Sequence, residues 1–424
     1  MIYYGAGAYA EANIAQWLSA GCVPACFADA DSNKHYSFVD APTGEKFKIL
    51  PLHEALDLYP EADIALSVSR TSYTSVVDDL YSRGIPHSRM SDPMGSKGSA
   101  SHCKLIGRYF NYTGVSFATC CEPMREVLAS VGDIEEDIAH YRLYCEQLNA
   151  RLRDGILTSC AGCYRLETGA DEDELAIDSI CLSTGLLGGD SCNFKCSYCD
   201  FANNDWVDCN KGDRPDVLSL IKYISDKMSI KRLDYASGEI TVSEYRDEIF
   251  RIWKKMHWKG YILTNAAVYS KGIDELLRSG LVKVNISLDA GNAATFVKVK
   301  GVDCYQKVVR NVERYAQSAQ AGQIQLKFIV IEGVNDNPEN IDSFVELARK
   351  CNAEVVISLL FRASSESHTT QSSANVYSAV KRLAKASAQE GVDFSLKLNS
   401  IFPNDFDSWE KEGLLIEHDD YRPF

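Results

Sequence analysis

The chain has 424 residues, of which 46% are hydrophobic and 24% are charged, and this composition is typical of a globular protein with two or three domains. Its formal net charge of −15 argues against sequence-independent binding of DNA or RNA, which depends on lysine and arginine. No apolar run approaches the roughly 20 residues that a membrane-spanning helix needs, so we expect no membrane insertion.

The cysteine content indicates the compartment. There are 15 cysteines, an odd number at irregular spacings, and this pattern is not typical of a disulfide framework. The first residues also lack the charged and apolar regions of a secretory signal peptide. We therefore expect a cytoplasmic protein in which metal binding accounts for some of the thiols.

Residues 1–90 are predicted to form a small α/β domain, shorter than a complete dinucleotide-binding domain. Strand patterns alternate with helical patterns along this segment. The predicted elements are a strand at Ile2–Tyr4, a helix that ends near Ala20, strands at Cys22–Ala28 and Glu61–Ser69, and a helix at Tyr73–Arg83.

A glycine-rich turn separates the first strand from the first helix. Gly5 and Gly7 fit the pattern G-x-G-x-x-A, and the acids Asp29 and Asp31 follow the second strand. Such glycines allow a tight turn, the helix N-terminus attracts a pyrophosphate, and an acid at that position can bind a ribose hydroxyl. The segment therefore predicts a Rossmann-like nucleotide-binding domain. It is similar to the N-terminal domains of sugar-nucleotide acyltransferases and related polysaccharide enzymes. The alternative is a domain of this shape that binds no ligand.

Residues 91–175 are predicted to be a mixed linker region that is partly helical. Serine, glycine and proline are frequent at 90–101, which is typical of a linker. Residues 134–153 carry apolar side chains at steps of three and four, which predicts a helix. Cys160 and Cys163 then form a C-x-x-C pair that can hold zinc or part of a second cluster. Unmodified thiols are the alternative.

From residue 176 to about 400 the pattern changes to six strand–helix units. Six such units imply a parallel sheet with right-handed crossovers, which curves into a partial (β/α)6 barrel with its active site at the C-terminal ends of the strands. The tail 401–424 is predicted either to cover the open barrel or to form an interface. The strands start near Ile180, Leu233, Tyr261, Val282, Ile324 and Val355, and the helices are predicted at Val217–Met228, Val242–Met256, Lys271–Ser279, Cys304–Ala321, Pro338–Lys350 and Ala374–Glu390.

Three cysteines with the spacing C-x3-C-x2-C follow the first of these strands, at Cys192, Cys196 and Cys199. Thiolates suit iron–sulfur clusters, whereas a structural zinc site normally has four closed ligands. A [4Fe–4S] cluster has four irons, so three cysteines leave one iron open to another ligand. Tyr198 directly precedes the third cysteine. This spacing, with an aromatic residue before the last cysteine, resembles the radical S-adenosylmethionine (SAM) superfamily, and the resemblance covers about 176–400.

The resemblance implies a [4Fe–4S] cluster and SAM as cofactors. Members usually carry Gly-Gly-Glu after the second strand; here Ser237 replaces the first glycine, and Glu239 keeps the acid that binds the methionine ammonium. Lys327 is predicted to bind the SAM carboxylate or an acidic substrate, or else to pair with Asp289. Satisfied hydrogen bonds inside a barrel are the alternative for these polar residues. The predicted cofactor-binding residues are Tyr198, Ser237, Gly238, Glu239, Asn265, Ser287, Asp289 and Lys327.

Two residues of the loop after the sixth strand are predicted to contact the substrate. Arg362 can clamp a carboxylate or phosphate with two hydrogen bonds, and His368 can move a proton. A solvated loop without such a role is the alternative. No residue is identified as a catalytic hydrogen-atom donor.

The resemblance implies an enzyme that cleaves SAM reductively to a 5′-deoxyadenosyl radical, which abstracts hydrogen from a substrate. It also implies an external low-potential electron donor such as flavodoxin or ferredoxin. The N-terminal segment indicates a small-molecule substrate, a phosphorylated or nucleotide-linked sugar. The second hypothesis is a radical SAM enzyme that modifies peptides or proteins and carries an auxiliary cluster. The third is a non-catalytic iron–sulfur module for redox sensing. A conventional SAM methyltransferase would leave the cysteine triplet and the β/α repeats unexplained.

Overall fold

A computed structural model of the protein describes residues 1–120, 126–161, 163, 165–169, 176–182, 192–199, 217–236, 238–360, 373–397, 409 and 411–414. The chain divides into two compact units. The first comprises 1–110, 118–128 and 135–176, and the second comprises 111–117, 129–134 and 177–424. The domain limits predicted at residues 90, 175 and 400 stay predictions. Within the described ranges, no helix combines the length and apolar character needed to cross a membrane.

The first unit is built around a six-stranded sheet. Across the sheet the order is β3-β4-β2-β1-β5-β6, and neighbouring strands are parallel except for the pair β3 and β4. Chain order thus reverses at β1, which lies between β2 and β5. The strands are β1 (Ile2–Tyr4), β2 (Cys26–Ala28), β3 (Phe38–Asp40), β4 (Lys46–Leu50), β5 (Ile64–Leu66) and β6 (Met90–Ser91), and the helices are α1 (Ala8–Ser19), α2 (Leu52–Leu58) and α3 (Tyr73–Ser82).

Two apolar clusters bury the two faces of this sheet. Successive side chains of a strand point to opposite faces. Ile2 therefore packs in one cluster with Val77 of α3, and Tyr3 packs in the other with Trp17 of α1. The strand predicted at 22–28 is shorter than expected and begins at residue 26. Pro24 explains this, because it has no N–H to donate to a neighbouring strand.

The rest of the first unit holds a two-stranded ribbon and a long helix. Strands β7 (Ser101–His102) and β11 (Glu167–Thr168) pair antiparallel. Helix α4 (Ile134–Arg153) has the predicted limits and buries one apolar face, which includes Tyr141 and Cys145. The helical spacing in the sequence was therefore a sufficient signal for this element.

Among its described residues, the second unit has seven parallel strands that are neighbours in chain order. Beside β12 the sheet continues into β8 (Tyr109–Tyr112), β9 (Ser116–Ala118) and β10 (Leu128–Ala129). The six predicted strands are all present, and β18 is an additional one. The seven strands are β12 (Ser179–Leu182), β13 (Arg232–Tyr235), β14 (Lys259–Thr264), β15 (Val282–Ser287), β16 (Ile324–Val330), β17 (Glu354–Leu359) and β18 (Phe394–Leu396).

The helices of the second unit follow the prediction closely. Helices α10 and α11 have the predicted limits, because a side-chain cap precedes each of them. The helix predicted from Val242 begins instead at Arg246, since residues 240–242 form a short 3-10 turn. Helix α8 was not predicted. The helices are α5 (Val217–Lys227), α6 (Arg246–Met256), α7 (Lys271–Arg278), α8 (Ala293–Lys300), α9 (Tyr305–Ser318), α10 (Pro338–Lys350) and α11 (Ala374–Glu390).

One face of this sheet packs on helices and the other is polar. The Phe328 ring of β16 lies 4.8 Å from the Phe344 ring of α10. On the opposite face, Gln325 accepts a hydrogen bond from Asn285 at 3.2 Å and donates one to Glu354 at 2.8 Å. We call this the polar face. The predicted fold class, a parallel α/β sheet preceded by a separate α/β unit, is confirmed.

Candidate functional site

The three cysteines of the C-x3-C-x2-C pattern lie on a loop at the C-terminal ends of the strands. The Asn265 amide, directly after β14, donates to Cys192 Sγ at 3.8 Å and to Asn193 Oδ1 at 2.7 Å. The N–H of Cys199 donates to the carbonyl of Cys196 at 3.1 Å, which closes a turn around the last two cysteines. The loop therefore occupies the edge of the sheet where active sites of such folds lie.

Backbone contacts hold the same loop against the C-terminal end of α8. The N–H of Lys195 donates to the carbonyl of Lys300 at 3.2 Å, and the N–H of Ser197 donates to the carbonyl of Val299 at 2.9 Å. Gly301 ends α8 in the left-handed conformation, with φ of 70°. A Cβ at Gly301 would lie 2.5 Å from the carbonyl oxygen of Lys195, so glycine is required for this close approach.

A buried ion pair meets the loop at Tyr198. Its hydroxyl donates to Asp289 Oδ2 at 2.7 Å, and Lys300 Nζ donates to the Tyr198 oxygen at 2.8 Å. Lys300 also forms an ion pair with Asp289. Burial, and then the charge of Asp289, raises the pKa of Tyr198 well above its usual value, so the phenol keeps the proton that it donates. The side chain of Ser287, at the end of β15, acts in the opposite direction and lowers this pKa.

Glu239 links the loop after β13 to the end of β14. Its carboxylate is fully buried and accepts from the Thr241 N–H at 3.1 Å, the Thr241 hydroxyl at 2.6 Å, the Thr264 hydroxyl at 2.8 Å and the Asn265 N–H at 2.6 Å. Burial raises the pKa of Glu239, and these hydrogen bonds oppose the rise. Three of the four donors reach Oε1, so Oε2 retains capacity to accept from an ammonium group.

Lys327 projects from β16 onto the polar face, opposite Ser287 of β15. The alternative prediction, that Lys327 pairs with Asp289, is wrong, because Lys300 occupies that carboxylate. Among the described residues Lys327 has no hydrogen bond and no ion pair. Burial and the neighbouring charge of Lys397 lower its pKa to about 8. The side chain is half-buried, so its ammonium is placed to meet an anion that enters from this face.

The donor set fits an iron–sulfur cluster. Burial raises the pKa of the Cys196 thiol to about 11, and the Lys300 ammonium opposes this rise most strongly among the nearby charges. A cation and an amide N–H near the sulfurs favour the thiolate form that iron requires. No three His, Cys, Asp or Glu side chains in the described ranges converge as ligands of one metal ion. A four-iron cluster binds each cysteine to a different iron, so this finding concerns mononuclear sites.

The structure brings together most of the residues predicted to bind SAM. Asn265 and Glu239 meet on one side of the cysteine loop, and Tyr198, Ser287 and Asp289 meet on the other. Gly238 has a φ of 69°, a conformation that favours glycine. Ser237, Arg362 and His368 lie outside the described residues.

In the first unit, the glycine-rich turn is already bound to its acid. Gly5 has a φ of 107°, and the next N–H, of Ala6, donates to Asp29 Oδ2 at 2.7 Å. Lys34 Nζ lies 3.1 Å from the same oxygen. Burial alone would raise the pKa of Asp29, but the hydrogen bonds from Asp31, Ala6 and Lys34 outweigh it and the pKa is lowered. Asp31 caps a 3-10 turn by accepting from the Asn33 N–H, and Gly7 precedes α1 as its N-cap.

The C-x-x-C pair has a third cysteine as a neighbour. The N–H of Cys163 donates to the carbonyl of Cys160 at 2.9 Å, which makes a tight turn. Burial raises the pKa of Cys160 to about 12, and the negative charges of Cys103 and Cys163 raise it further. Cys103 directly follows β7, whose partner β11 lies just after Cys163. The ribbon therefore brings Cys103 towards the pair.

Sequence reasoning missed three residues of these sites. Lys300 sits in a Val-Lys-Val-Lys stretch that alternates like a strand, and only the following Gly301 indicated a helix end. Asn335 is fully buried and donates to the carbonyls of Asp289 at 3.0 Å and Ile329 at 2.8 Å. Cys103 is 57 positions before Cys160, so no local spacing connects them.

The fold and the cysteine loop together define a class of enzyme. The sequence pattern of the Radical SAM superfamily matches residues 186–351. The second unit therefore contains a radical SAM domain, and the predictions of this superfamily and of an enzyme are confirmed. Domains of this superfamily bind a [4Fe–4S] cluster and SAM, the two cofactors predicted from the sequence.

Among characterised proteins, the chain is similar to GTP 3′,8-cyclases. It is 26% identical over 162 residues to a probable GTP 3′,8-cyclase from Pyrococcus abyssi, which covers 38% of this chain and 51% of the relative. It is 25% identical over 169 residues to the GTP 3′,8-cyclase of Clostridium acetobutylicum, or 39% and 52% of the two chains. The chain thus spans about half the length of these curated relatives.

Solved structures show a more distant likeness. Streptococcus suis SuiB bound to S-adenosylmethionine aligns with a TM-score of 0.42 and 13% identity, over 62% of this chain and 56% of that one. A structure of anSMEcpe with bound AdoMet and the Cp18Cys peptide aligns with a TM-score of 0.38 and 14% identity, over 51% of this chain and 63% of that one.

Proposed function

We propose that this protein binds a [4Fe–4S] cluster through Cys192, Cys196 and Cys199 and binds SAM at the open iron. When bound, the cluster and SAM supply a one-electron reduction that yields methionine and a 5′-deoxyadenosyl radical for hydrogen abstraction from a substrate. The observation that carries this proposal is the convergence of the cysteine loop with Tyr198 and Asn265 at the ends of β14 and β15.

The chain's own residues would orient SAM. Glu239 Oε2 offers an acceptor for the methionine ammonium beside Asn265. Ser287 and Lys327 face each other across β15 and β16, where a hydroxyl and an ammonium can hold a carboxylate or a phosphate. The Tyr198 ring is placed next to the cysteines, where it can pack against an adenine.

We further propose a small phosphorylated substrate, a nucleotide or a nucleotide-linked sugar. The Lys327 ammonium on the polar face, which has no ion pair among the described residues, supports an anionic substrate. The names of the GTP 3′,8-cyclase relatives support a nucleotide. The strand order of the first unit supports a nucleotide site at Gly5, Gly7 and Asp29, since ligand crevices in such sheets lie where the strand order reverses. A small low-potential protein such as flavodoxin or ferredoxin would supply the electron in the reducing cytoplasm.

A second candidate is a radical SAM enzyme that modifies peptides or proteins with an auxiliary metal centre. The tight turn of Cys160 and Cys163 favours this candidate, because two soft thiolates can supply part of a metal centre. Among the described residues no third ligand completes a mononuclear site with them. If the protein is such a peptide-modifying enzyme, Cys160 and Cys163 would be metal ligands and not ordinary buried thiols.

Anaerobic reconstitution with iron and sulfide tests the main proposal. Wild type is compared with a variant in which Cys192, Cys196 and Cys199 are all Ala, and with the control Cys304→Ala, which lies at the start of α9 outside the loop. We expect about four irons per chain in wild type and control and none in the triple variant. Only the first two should form 5′-deoxyadenosine from SAM and dithionite.

Two other outcomes are informative. About eight irons in wild type, falling to about four in the triple variant, would favour the second candidate. Iron that is unchanged in the triple variant would refute cluster binding by the loop.

A further inference from the structure

We propose that Lys300, held by Asp289, is a positioning residue that fixes the cysteine loop in place through the hydroxyl of Tyr198. We call these three residues the loop anchor. The inference rests on the proposed function, because the loop is the one that would hold the cluster. The contact itself is a property of the protein without a cluster, so it can be measured separately.

The hydrogen bonds of the loop anchor form a consistent chain. Lys300 Nζ donates to the Tyr198 oxygen at 2.8 Å, and the Tyr198 hydroxyl donates onward to Asp289 Oδ2 at 2.7 Å. Lys300 is only 1% exposed and Asp289 is fully buried. A buried ion pair is stable only when further hydrogen bonds satisfy its charged groups. The Tyr198 hydroxyl supplies such a hydrogen bond to both Lys300 and Asp289, in place of water.

Asp289 is the fixed point of the anchor. It has a φ of 56°, in the left-handed region that is uncommon for residues with a side chain, although aspartate enters it more readily than most. Its Oδ1 accepts from the Ile329 N–H at 2.7 Å, and its carbonyl accepts from Asn335 at 3.0 Å. The ends of β15 and β16 are therefore tied together at this carboxylate.

The anchor acts on two of the three cysteines. Tyr198 lies between Cys196 and Cys199, which share one turn. Cys192 is held separately, through the amide of Asn265. Loss of the anchor should therefore release the turn that contains Cys196 and Cys199 and leave Cys192 in place. A loss of overall stability would expose all three alike, so this selectivity distinguishes positioning from general folding support.

Alkylation of the cluster-free protein tests the anchor. Apo protein is treated anaerobically with iodoacetamide, and the rate at each cysteine is read by peptide mass spectrometry. The variant Tyr198→Phe removes only the hydroxyl. Tyr305→Phe is the matched control, because that buried hydroxyl donates to the carbonyl of Gly291 at 2.6 Å and has no hydrogen bond to the loop.

We expect alkylation of Cys196 and Cys199 to be roughly tenfold faster in Tyr198→Phe, since a hydrogen bond to a charged group shifts a local opening equilibrium by about that factor. Cys192 should change less than twofold, and Tyr305→Phe should match wild type. Equal rates in Tyr198→Phe and wild type would overturn the proposal. A rise that is as large at the buried Cys351 would also overturn it, because the effect would then be global.

A second variant and a second readout separate the anchor from the cluster. Lys300→Met alone would leave Asp289 as an unpaired buried charge, so the double variant Lys300→Met with Asp289→Asn is used to remove both charges. It should reproduce the alkylation pattern of Tyr198→Phe if the three residues act together, and a wild-type pattern would contradict the proposal.

In reconstituted protein, Tyr198→Phe should lose iron to a chelator several-fold faster than Tyr305→Phe. Wild type that takes up no iron would refute the proposed function, whereas the alkylation result would still decide the anchor.

Discussion

Replacement of Lys327 by Met should make the protein more stable at neutral pH. Lys327 is half-buried on the polar face, and within the described part of the chain nothing pairs with its ammonium. Burial, and then the charge of Lys397, lowers its pKa from 10.5 to about 8. Methionine has a similar length and an apolar end, so it can occupy the same space without the charge.

The expected size and pH dependence follow from this pKa. Each pH unit corresponds to about 1.36 kcal/mol, so keeping Lys327 charged in the folded state at pH 7 costs about 3 kcal/mol. Because the folded pKa lies below the unfolded one, wild type lacks this stability below about pH 8 and regains it as the pH rises to 10.5. The advantage of the Met variant should therefore be largest at pH 7 and should fall to less than about 1 kcal/mol at pH 10.

Anaerobic urea unfolding of the cluster-free protein at pH 7 and pH 10, followed by circular dichroism, measures the difference. Lys298→Met, at an exposed position of α8, is the matched control and should lie within about 0.5 kcal/mol of wild type at both pH values. A Lys327→Met variant that is less stable than wild type at pH 7 would refute the reasoning. That result would mean that Lys327 has a counter-ion in the folded protein. A stabilisation of equal size at both pH values would also refute the reasoning, because the gain would then come from apolar packing and not from removal of a charge.

Two further predictions concern Glu239 and the C-x-x-C pair. Glu239→Gln turns one buried oxygen into an NH2 group that faces a backbone or hydroxyl donor, and should lower the free energy of unfolding by about 1–3 kcal/mol, whereas the exposed control Glu332→Gln should not. Burial raises the pKa of Glu239, so its contribution to the free energy of unfolding is present below the ordinary pKa of a glutamate and is lost as the pH rises through the raised pKa. The difference in free energy of unfolding between wild type and Glu239→Gln should therefore be larger at pH 5 than at pH 8. A difference that increases with pH would contradict this. If Cys160 and Cys163 are ordinary thiols, changing both to Ser should leave the zinc and iron contents of the protein equal to those of the control Cys22→Ser. Loss of about one zinc or about four irons per chain would instead show an auxiliary metal centre.

Elements with strong local signals were predicted well from the sequence. Helix α10 has Asn337 as its cap and Pro338 at its first position, and both of its limits were predicted. The cysteine loop was located from spacing alone, because cluster chemistry requires a fixed number of residues between ligands. The local sequence is sufficient to predict a structural element when the geometry of its backbone or of its ligands depends only on residues close together in the chain.

Contacts that depend on tertiary structure could not be predicted in this way. A pairing of Asp289 with Lys327, one strand away, was only the alternative prediction for that lysine. The partner of Asp289 is Lys300, at the end of a helix that was not predicted because its sequence alternates like a strand. Asp289 also has a left-handed backbone, with a φ of 56°, which no residue pattern in the sequence predicted. For Cys103, the connection to Cys160 requires the pairing of two short strands 65 residues apart, at His102 and Glu167.

The arrangement at Asp29 has a consequence for the affinity of the first unit. In the ligand-free protein the amide of Ala6, which an incoming phosphate would use, already donates to the Asp29 carboxylate, and Lys34 already neutralises that charge. An anion that enters the turn must replace the Asp29 carboxylate as the acceptor of the Ala6 N–H. Its free energy of binding is therefore the difference between two similar interactions. If an anion binds there, it would have to displace the Asp29 carboxylate, so a ligand with additional contacts would bind better than free phosphate.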